Sequence, residues 1–413
     1  MKTIFILVIF QLILFAGYAQ KMNDELWLED LSAYQNGLEE RHIDLYNQIS
    51  RTDFENELEG IKALIRQKSD FEITIDLMRL TRKIGDGHTA ISFRKKNMHA
   101  FPFWLKKFDE SWRVIKVTEQ NKHLLGQELV EIEGKNINEV AGKVGEVAQF
   151  VENRYSKSIR TAQYLRYTEL MYGLGFTATD TEATCTFRNA NGKLTTWEIT
   201  GILEDKYENE TFSELNIGVP EIVSSDQLSN KGFWYTPIKG TDGLYIHFET
   251  YPTFDEMMKI GEEIVGYIVQ QNIRQLVIDM RNNGGGDLYT GLVLAYALNL
   301  ADPVDWKSGV YVLCDNVTFS AATSNTALFR ELLNAKIVGE PTGSNPTGYQ
   351  DMDTFELPNS KLVVCYSKRF FRIQEEATSG VQPDVPLKYE WASFSQGRDN
   401  MLEWIVKRLK SGE

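Results

Sequence analysis

Cysteine and histidine are scarce in this 413-residue chain, which holds three of the first and five of the second. Cys185, Cys314 and Cys365 form no C-x-x-C pair. That excludes a zinc ribbon and a disulfide scaffold, permits one bridge at most, and makes the odd cysteine a buried apolar filler. No H-E-x-x-H helix is present, and the Asp86/His88 pair has no third ligand at a recognisable spacing, so no metal is expected. A G-x-S-x-G elbow is missing, which argues against an α/β-hydrolase. Positive charge is in short supply: 44 Lys and Arg face 58 Asp and Glu, for a net charge of -14. Nucleic acid and anionic membrane are poor partners for such a surface. Beyond the first residues no run is apolar enough to span a bilayer, and no repeat or low-complexity tract occurs.

Present instead is a composition ordinary for a soluble globular protein, 42% apolar and 25% charged, on a chain long enough for two or three domains. Met1 to Ala19 read as a secretory signal: Lys2, an apolar stretch from Ile4 to Phe15, then Gly17-Tyr-Ala19 as a small-x-small cleavage site. The expected location is therefore periplasmic or extracellular. Residues 20–95 have helical texture. Thr52-x-x-Glu55 reads as a capping box ahead of Phe54, Leu58, Ile61 and Ile65. Ser69-x-x-Glu72 opens another helix, with Ile73, Leu77, Leu80 and Ile84 on one face and Gly85 as its C-cap. Residues 96–205 turn to short strands: Trp112–Val117, a strand ending at Gly134, and a hairpin over Thr184–Ile199. Residues 202–240 read as a polar connection. Within 206–413, from Gly243 onward, strands and helices alternate, which predicts an α/β domain with a largely parallel sheet.

Two stretches of that last domain carry chemistry. Leu276-Val-Ile-Asp279-Met-Arg281-Asn-Asn-Gly284-Gly-Gly286-Asp287 is a β-branched run breaking into a glycine turn. Glycines let a backbone approach a substrate and aim free N–H groups at it. Tyr311 to Thr323 is a second strand, turning at Ser320 into a helix whose N-terminal dipole favours an oxyanion. Strand-to-helix turns of this kind lie at the carboxyl ends of parallel strands, where ligands bind. Ser320 is the candidate nucleophile; a helix-capping serine is the plainer reading. The N–H groups of Gly285 or Gly286, with that of Ala321, are candidate oxyanion donors, each typically worth about 3 kcal/mol in the transition state. Asp279, Arg281 and Asn282 read as buttresses of the turn. Upstream, Gly85-Asp86-Gly87-His88-Thr89 holds a histidine between a helix exit and a strand, positioned to act as a base in another domain's cleft. His42, His99, His123 and His247 lack such a setting.

Taken together these motifs resemble the S41 serine peptidases, the family of the C-terminal-processing and tricorn-core enzymes. Ile337-Val-Gly339-Glu340-Pro341-Thr342-Gly343 and Gly380-Val381-Gln-Pro383-Asp384-Val385 match its two later signatures. The resemblance implies a ClpP/crotonase-like catalytic domain, a PDZ-like β-rich segment (Val130-Glu-Ile-Glu-Gly134 matching its Ile-x-Ile-x-Gly strand end) and an N-terminal helical domain. The branch that pairs serine with lysine carries Gly-Lys-Gly where this chain has Gly343 to Gly348 and no lysine. The tricorn-like branch uses an upstream histidine, which His88 resembles, although Gly87 stands where tricorn has serine. The third, orienting member is left open between Glu376, placed roughly where the family carries a glutamate, and Asp86.

The resulting expectation is an exported serine endopeptidase acting on peptide or unfolded protein, without cofactor. Two other readings share the motifs: a non-catalytic homologue that binds peptide or an apolar ligand, and a crotonase-like acyl-CoA enzyme, against which export counts. Oligomeric state is not legible.

Overall fold

The computed structural model describes residues 22–93, 96–224 and 231–411, so the expected signal at Met1 to Ala19 lies outside the described residues. Its organising element is a six-stranded sheet whose strands lie side by side in chain order. Gly243–Phe248, Gln275–Asp279, Val310–Cys314, Lys336–Gly339 and Val385–Pro386 run parallel. Phe233–Ile238 adds an antiparallel edge. That edge strand lies in the stretch expected to be a connection; Trp234, Tyr235 and Thr236 suit a strand, but Pro237 and the flanking polar residues mask the pattern.

Side chains alternate across a strand, and the sheet uses both faces. Leu244, Ile246, Leu276, Ile278, Val310 and Val312 pack under the crossover helices Phe254–Gln271, Leu288–Leu298 and Ala321–Leu333. Tyr245, Val277, Tyr311 and Leu313 meet the closing helix Asn400–Ser411 through Leu402, Ile405, Val406 and Leu409. Each crossover returns the chain to the same sheet edge, so the turns leaving Asp279 and Cys314 lie next to each other.

The remaining chain builds the other wall of the site. One continuous core takes in Trp27, Phe54 and Leu77 of the first helices and Phe103, Val114 and Phe187 of the β-rich segment. It also includes Val364 and Tyr366 of a long hairpin, Thr347–Glu356 with Val363–Arg372. Ala90–Ser92 pairs with that hairpin, and Phe212–Glu214 pairs with Ser111–Thr118. The helical, β-rich and α/β segments are thus joined across the expected boundaries at 95/96 and 205/206. The Ser69 box forms as read. The earlier box does not: Ser50, not Thr52, caps the helix Arg51–Leu64, its side chain accepting from Asp53. Starting there places Asp53 in the first turn, favourable to the helix dipole. Three helices, Ile137–Val147, Arg154–Tyr164 and Thr168–Gly173, occupy a stretch read as strands and turns. All three cysteines are buried, and no disulfide joins any of them among the described residues. Among the described residues no helix is long and apolar enough to cross a membrane.

Candidate active site

Two neighbouring turns form one hydrogen-bonded unit. Buried Asp315 accepts from the N–H of Val317 and Thr318, and from Asn282 in the glycine turn. Thr318 Oγ1 donates to the Met280 carbonyl, and the Phe319 N–H donates to the carbonyl of Asn283. At the end of this turn Ser320 has φ 52° and ψ -127°, a region that costs a non-glycine residue about 1–3 kcal/mol. Its N–H is held by Ser344 Oγ at 2.7 Å. The Ser320 hydroxyl makes no helix-capping bond; its Oγ lies 2.9 Å from Nε2 of His88.

His88 reaches this point because Asp86 shapes its loop. Asp86 Oδ1 accepts from the N–H groups of His88 and Thr89 and from Ser367 Oγ. Its Oδ2 lies 2.8 Å from Nε2 of His42. His42 Nδ1 accepts from the Asp44 N–H, which leaves the proton on Nε2 for Asp86. Burial works against the Asp86 carboxylate, but its bonds to His42, Ser367 and Thr89 together hold its pKa below the ordinary value. Asp86 therefore fixes the loop backbone; among the described residues no hydrogen bond joins it to the imidazole of His88. Burial also lowers the His88 pKa, to about 4, against the opposing charges of Asp86 and Asp351. The ring is neutral at pH 7, able to accept a proton at Nε2. Its Nδ1 makes no hydrogen bond, although the Tyr349 backbone is near enough to favour protonation.

The three glycines of the turn are not equivalent. At Gly285, φ is +105°, and a Cβ would stand 2.7 Å from Ser320 Cβ and 2.9 Å from the Phe319 carbonyl oxygen. Only glycine permits that approach. Its N–H is engaged by Asn283 Oδ1 at 2.9 Å, so the structure gives Gly285 a packing role in place of the donor role read from sequence. Gly284 and Gly286 face the cleft. Ala321 begins the helix, where an N–H has no intrahelical acceptor. Gly286 and Ala321 are left as the candidate oxyanion donors.

The cleft over Ser320 has a volume of about 730 Å³. Phe93, Trp104, Tyr164 and Tyr167 make one side apolar, while Arg160, Gln163 and Glu204 add polar groups. Phe319 lies tilted against His88 at 5.3 Å between centroids and lies under the Arg160 guanidinium at 5.1 Å. Glu376 is exposed, and only its carbonyl is engaged, by Gln374. No hydrogen bond or ion pair connects it to His88 among the described residues. The sequence does not single out His42 and Ser367, which hold the Asp86 carboxylate, or Ser344 and Asn283, which hold backbone at the two turns. Only Ser367 lies in a regular element; the others sit in turns and at a helix end, where polar residues are too common to single them out. No group of three or more His, Cys, Asp or Glu among the described residues could hold a metal.

A hydroxyl on a strained strand-to-helix turn, hydrogen-bonded to a neutral imidazole, is an arrangement in which a hydroxyl can be activated as a nucleophile. Residues 295–387, which include Ser320, match the model of peptidase family S41. Three solved structures of CPAF align with 94% of this chain. They are the mature protein (TM-score 0.65, 15% identity, 98% of that chain), mature CPAF complexed with lactacystin (0.65, 12%, 99%) and a CPAF mutant (0.67, 13%, 97%). Identity this low shows a shared fold: mixed α/β, with N-terminal helices and β-rich regions. Over residues 295–387 the chain is similar to the serine-type peptidases of family S41.

Proposed function

We propose that the chain is an exported serine endopeptidase in which Ser320 is the nucleophile and His88 its general base. The observation that carries this reading is the 2.9 Å contact between Ser320 Oγ and His88 Nε2. In the reaction, Nε2 takes the hydroxyl proton as Oγ attacks the peptide carbonyl. The tetrahedral oxyanion is met by the N–H groups of Gly286 and Ala321, and the imidazolium then protonates the leaving amine. Water repeats the sequence on the acyl-enzyme. No step calls for a cofactor. Export rests on the Met1 to Ala19 pattern, and the carrying geometry favours neither a ligand-binding nor an acyl-CoA reading. The test is labelling of the folded wild-type protein by a fluorophosphonate, with peptide mapping of the adduct. Modification at Ser320 is the expected result, and an unlabelled protein would defeat the proposal.

The pH dependence follows from the buried imidazole. Protonated His88 cannot act as base, so activity is lost as pH falls through its folded pKa of about 4, not the ordinary value near 6.5. Roughly nine-tenths of the pH 7 labelling rate is expected to persist at about pH 5. A midpoint near 6.5 in the rate–pH profile would show that burial does not set the base. The same depression weakens folding as pH falls across that window, because the unfolded chain takes up a proton the folded ring refuses.

Asp86→Asn keeps the size but turns one acceptor into a donor facing the His42 Nε2–H or the loop N–H groups. It should cost about 1–3 kcal/mol of stability. Labelling should also slow by about 10²-fold, since a catalytic group misplaced by an ångström loses that much. Melting curves and labelling rates measured together separate the two effects. A destabilised variant that labels at the wild-type rate would show that the loop does not set His88.

A further inference from the structure

Two buried polar atoms close to the Ser320–His88 pair have no hydrogen-bond partner: Nδ1 of His88 and Oε2 of Glu152. They are complementary. His88 can accept the Ser320 proton at Nε2 only when its own proton is on Nδ1, which makes Nδ1 a donor without an acceptor. Oε2 is an acceptor without a donor. The backbone brackets the Glu152 carboxyl from two sides. A Cβ on Gly87, the residue before His88, would stand 2.8 Å from Glu152 Cβ and 3.0 Å from its Oε2. A Cβ on Gly348 would stand 2.7 Å from Oε1, and the next residue, Tyr349, is the one whose backbone faces the His88 ring. The absence of a side chain at position 87 is what admits the carboxyl.

Glu152 is also held in place. The Val151 carbonyl before it accepts from Arg82. Asn153 after it caps the helix Arg154–Tyr164 and donates to the Thr342 carbonyl and to Asn345 Oδ1. Burial, with the charge of Asp86, raises the Glu152 pKa well above the usual carboxylate value. A carboxyl so placed gains from a cation forming beside it.

We propose that Glu152 is the positioning residue of the catalytic pair, its carboxyl engaging the Nδ1 side of His88, directly or through one water, as the imidazolium forms. This inference rests on the Ser320–His88 reading. It assigns to Glu152 the orienting role that sequence left open between Glu376 and Asp86: Glu376 is exposed, and Asp86 is spent on the loop backbone. Glu152 makes and breaks no bond to carbon: its carboxyl oxygen accepts a hydrogen bond from Nδ1–H, while the proton that Nε2 takes from Ser320 goes to the leaving amine.

The experiment compares Glu152→Gln, Glu152→Asp and Glu376→Gln in the full chain, by fluorophosphonate labelling rate and by kcat and KM on a peptide substrate across pH. Glutamine preserves the shape of the side chain, so folding and KM should hold. Labelling rate and kcat at pH 7 should fall about 10²-fold, with an altered acid limb of the profile. Glu152→Asp should recover part of that loss, and Glu376→Gln should match wild type. Wild-type rate and profile in Glu152→Gln would overturn the inference, as would equal losses in the Gln and Asp variants, which mark packing alone. An inert wild type would instead remove the underlying reading and this one with it.

Discussion

Alanine at Ser320 or at His88 is expected to abolish fluorophosphonate labelling and to lower peptide turnover on the order of 10⁴–10⁶-fold. The double variant should lose no more than the worse single one. Nucleophile and base act as a unit: without the base the hydroxyl keeps its proton, and without the hydroxyl the base has nothing to activate. What survives is the contribution of the oxyanion donors and of substrate binding, typically about 10³-fold over water. A third variant separates chemistry from strain. Ser320 holds φ 52°, which glycine adopts without cost, so Ser320→Gly should be as inert as alanine yet more stable by about 1 kcal/mol or more. Additive losses in the double variant, or a His88→Ala protein that labels at the wild-type rate, would place the base elsewhere. A gain in stability from Ser320→Gly alone would speak only to the turn.

The glycine turn and the serine were legible because their signals are local. A β-branched strand followed by small residues leaves few alternatives, and the sheet that carries Asp279 and Cys314 forms where the alternation placed it. The Ser320–His88 contact spans 232 positions; residue types suggested both partners, but only the fold brings them within a hydrogen bond. Less was legible where one residue could serve two ends. Gly285 reads as an oxyanion donor from its glycine neighbours, yet its N–H turns inward to Asn283 while its missing Cβ makes room for Ser320. The helix Ile137–Val147 was overlooked although Ile137, Val140, Val144 and Val147 repeat at helical spacing and are buried; its two glycines weaken the pattern. Glu152 carries no sequence signal. Its setting arises from Gly87 and Gly348, which are distant along the chain and contribute only the space they leave empty.

Arg281→Met should be the most destabilising single substitution outside the apolar core, with a loss of about 3–5 kcal/mol at neutral pH. Arg281 is a buried cation between two buried carboxylates, with exposures of 7% for Arg281, 3% for Asp279 and 2% for Asp399. It bonds Asp279 at 2.9 and 2.7 Å and Asp399 at 3.1 and 2.8 Å. Burial alone would lower its pKa, but the two carboxylates more than offset this and hold it well above the ordinary value. Each partner also holds structure: Asp279 ends the strand feeding the glycine turn and accepts from Tyr245, while Asp399 accepts from the N–H groups that open the closing helix. Methionine fills similar volume but leaves two like charges facing each other in low dielectric, the costly case. Urea unfolding at pH 7 measures the loss. Without the guanidinium, burial acts on the Asp279 carboxyl unopposed by that charge, so its protonation relieves the repulsion and the deficit should shrink as pH falls. Adding Asp279→Asn and Asp399→Asn removes the repulsion while keeping an acceptor for Tyr245 and for the helix cap, and should recover at least about half of the loss. A loss below about 1 kcal/mol in Arg281→Met, the range of an exposed pair, would mean that water reaches the cluster and that the turn beneath Ser320 is held by Asp315 and Thr318 alone.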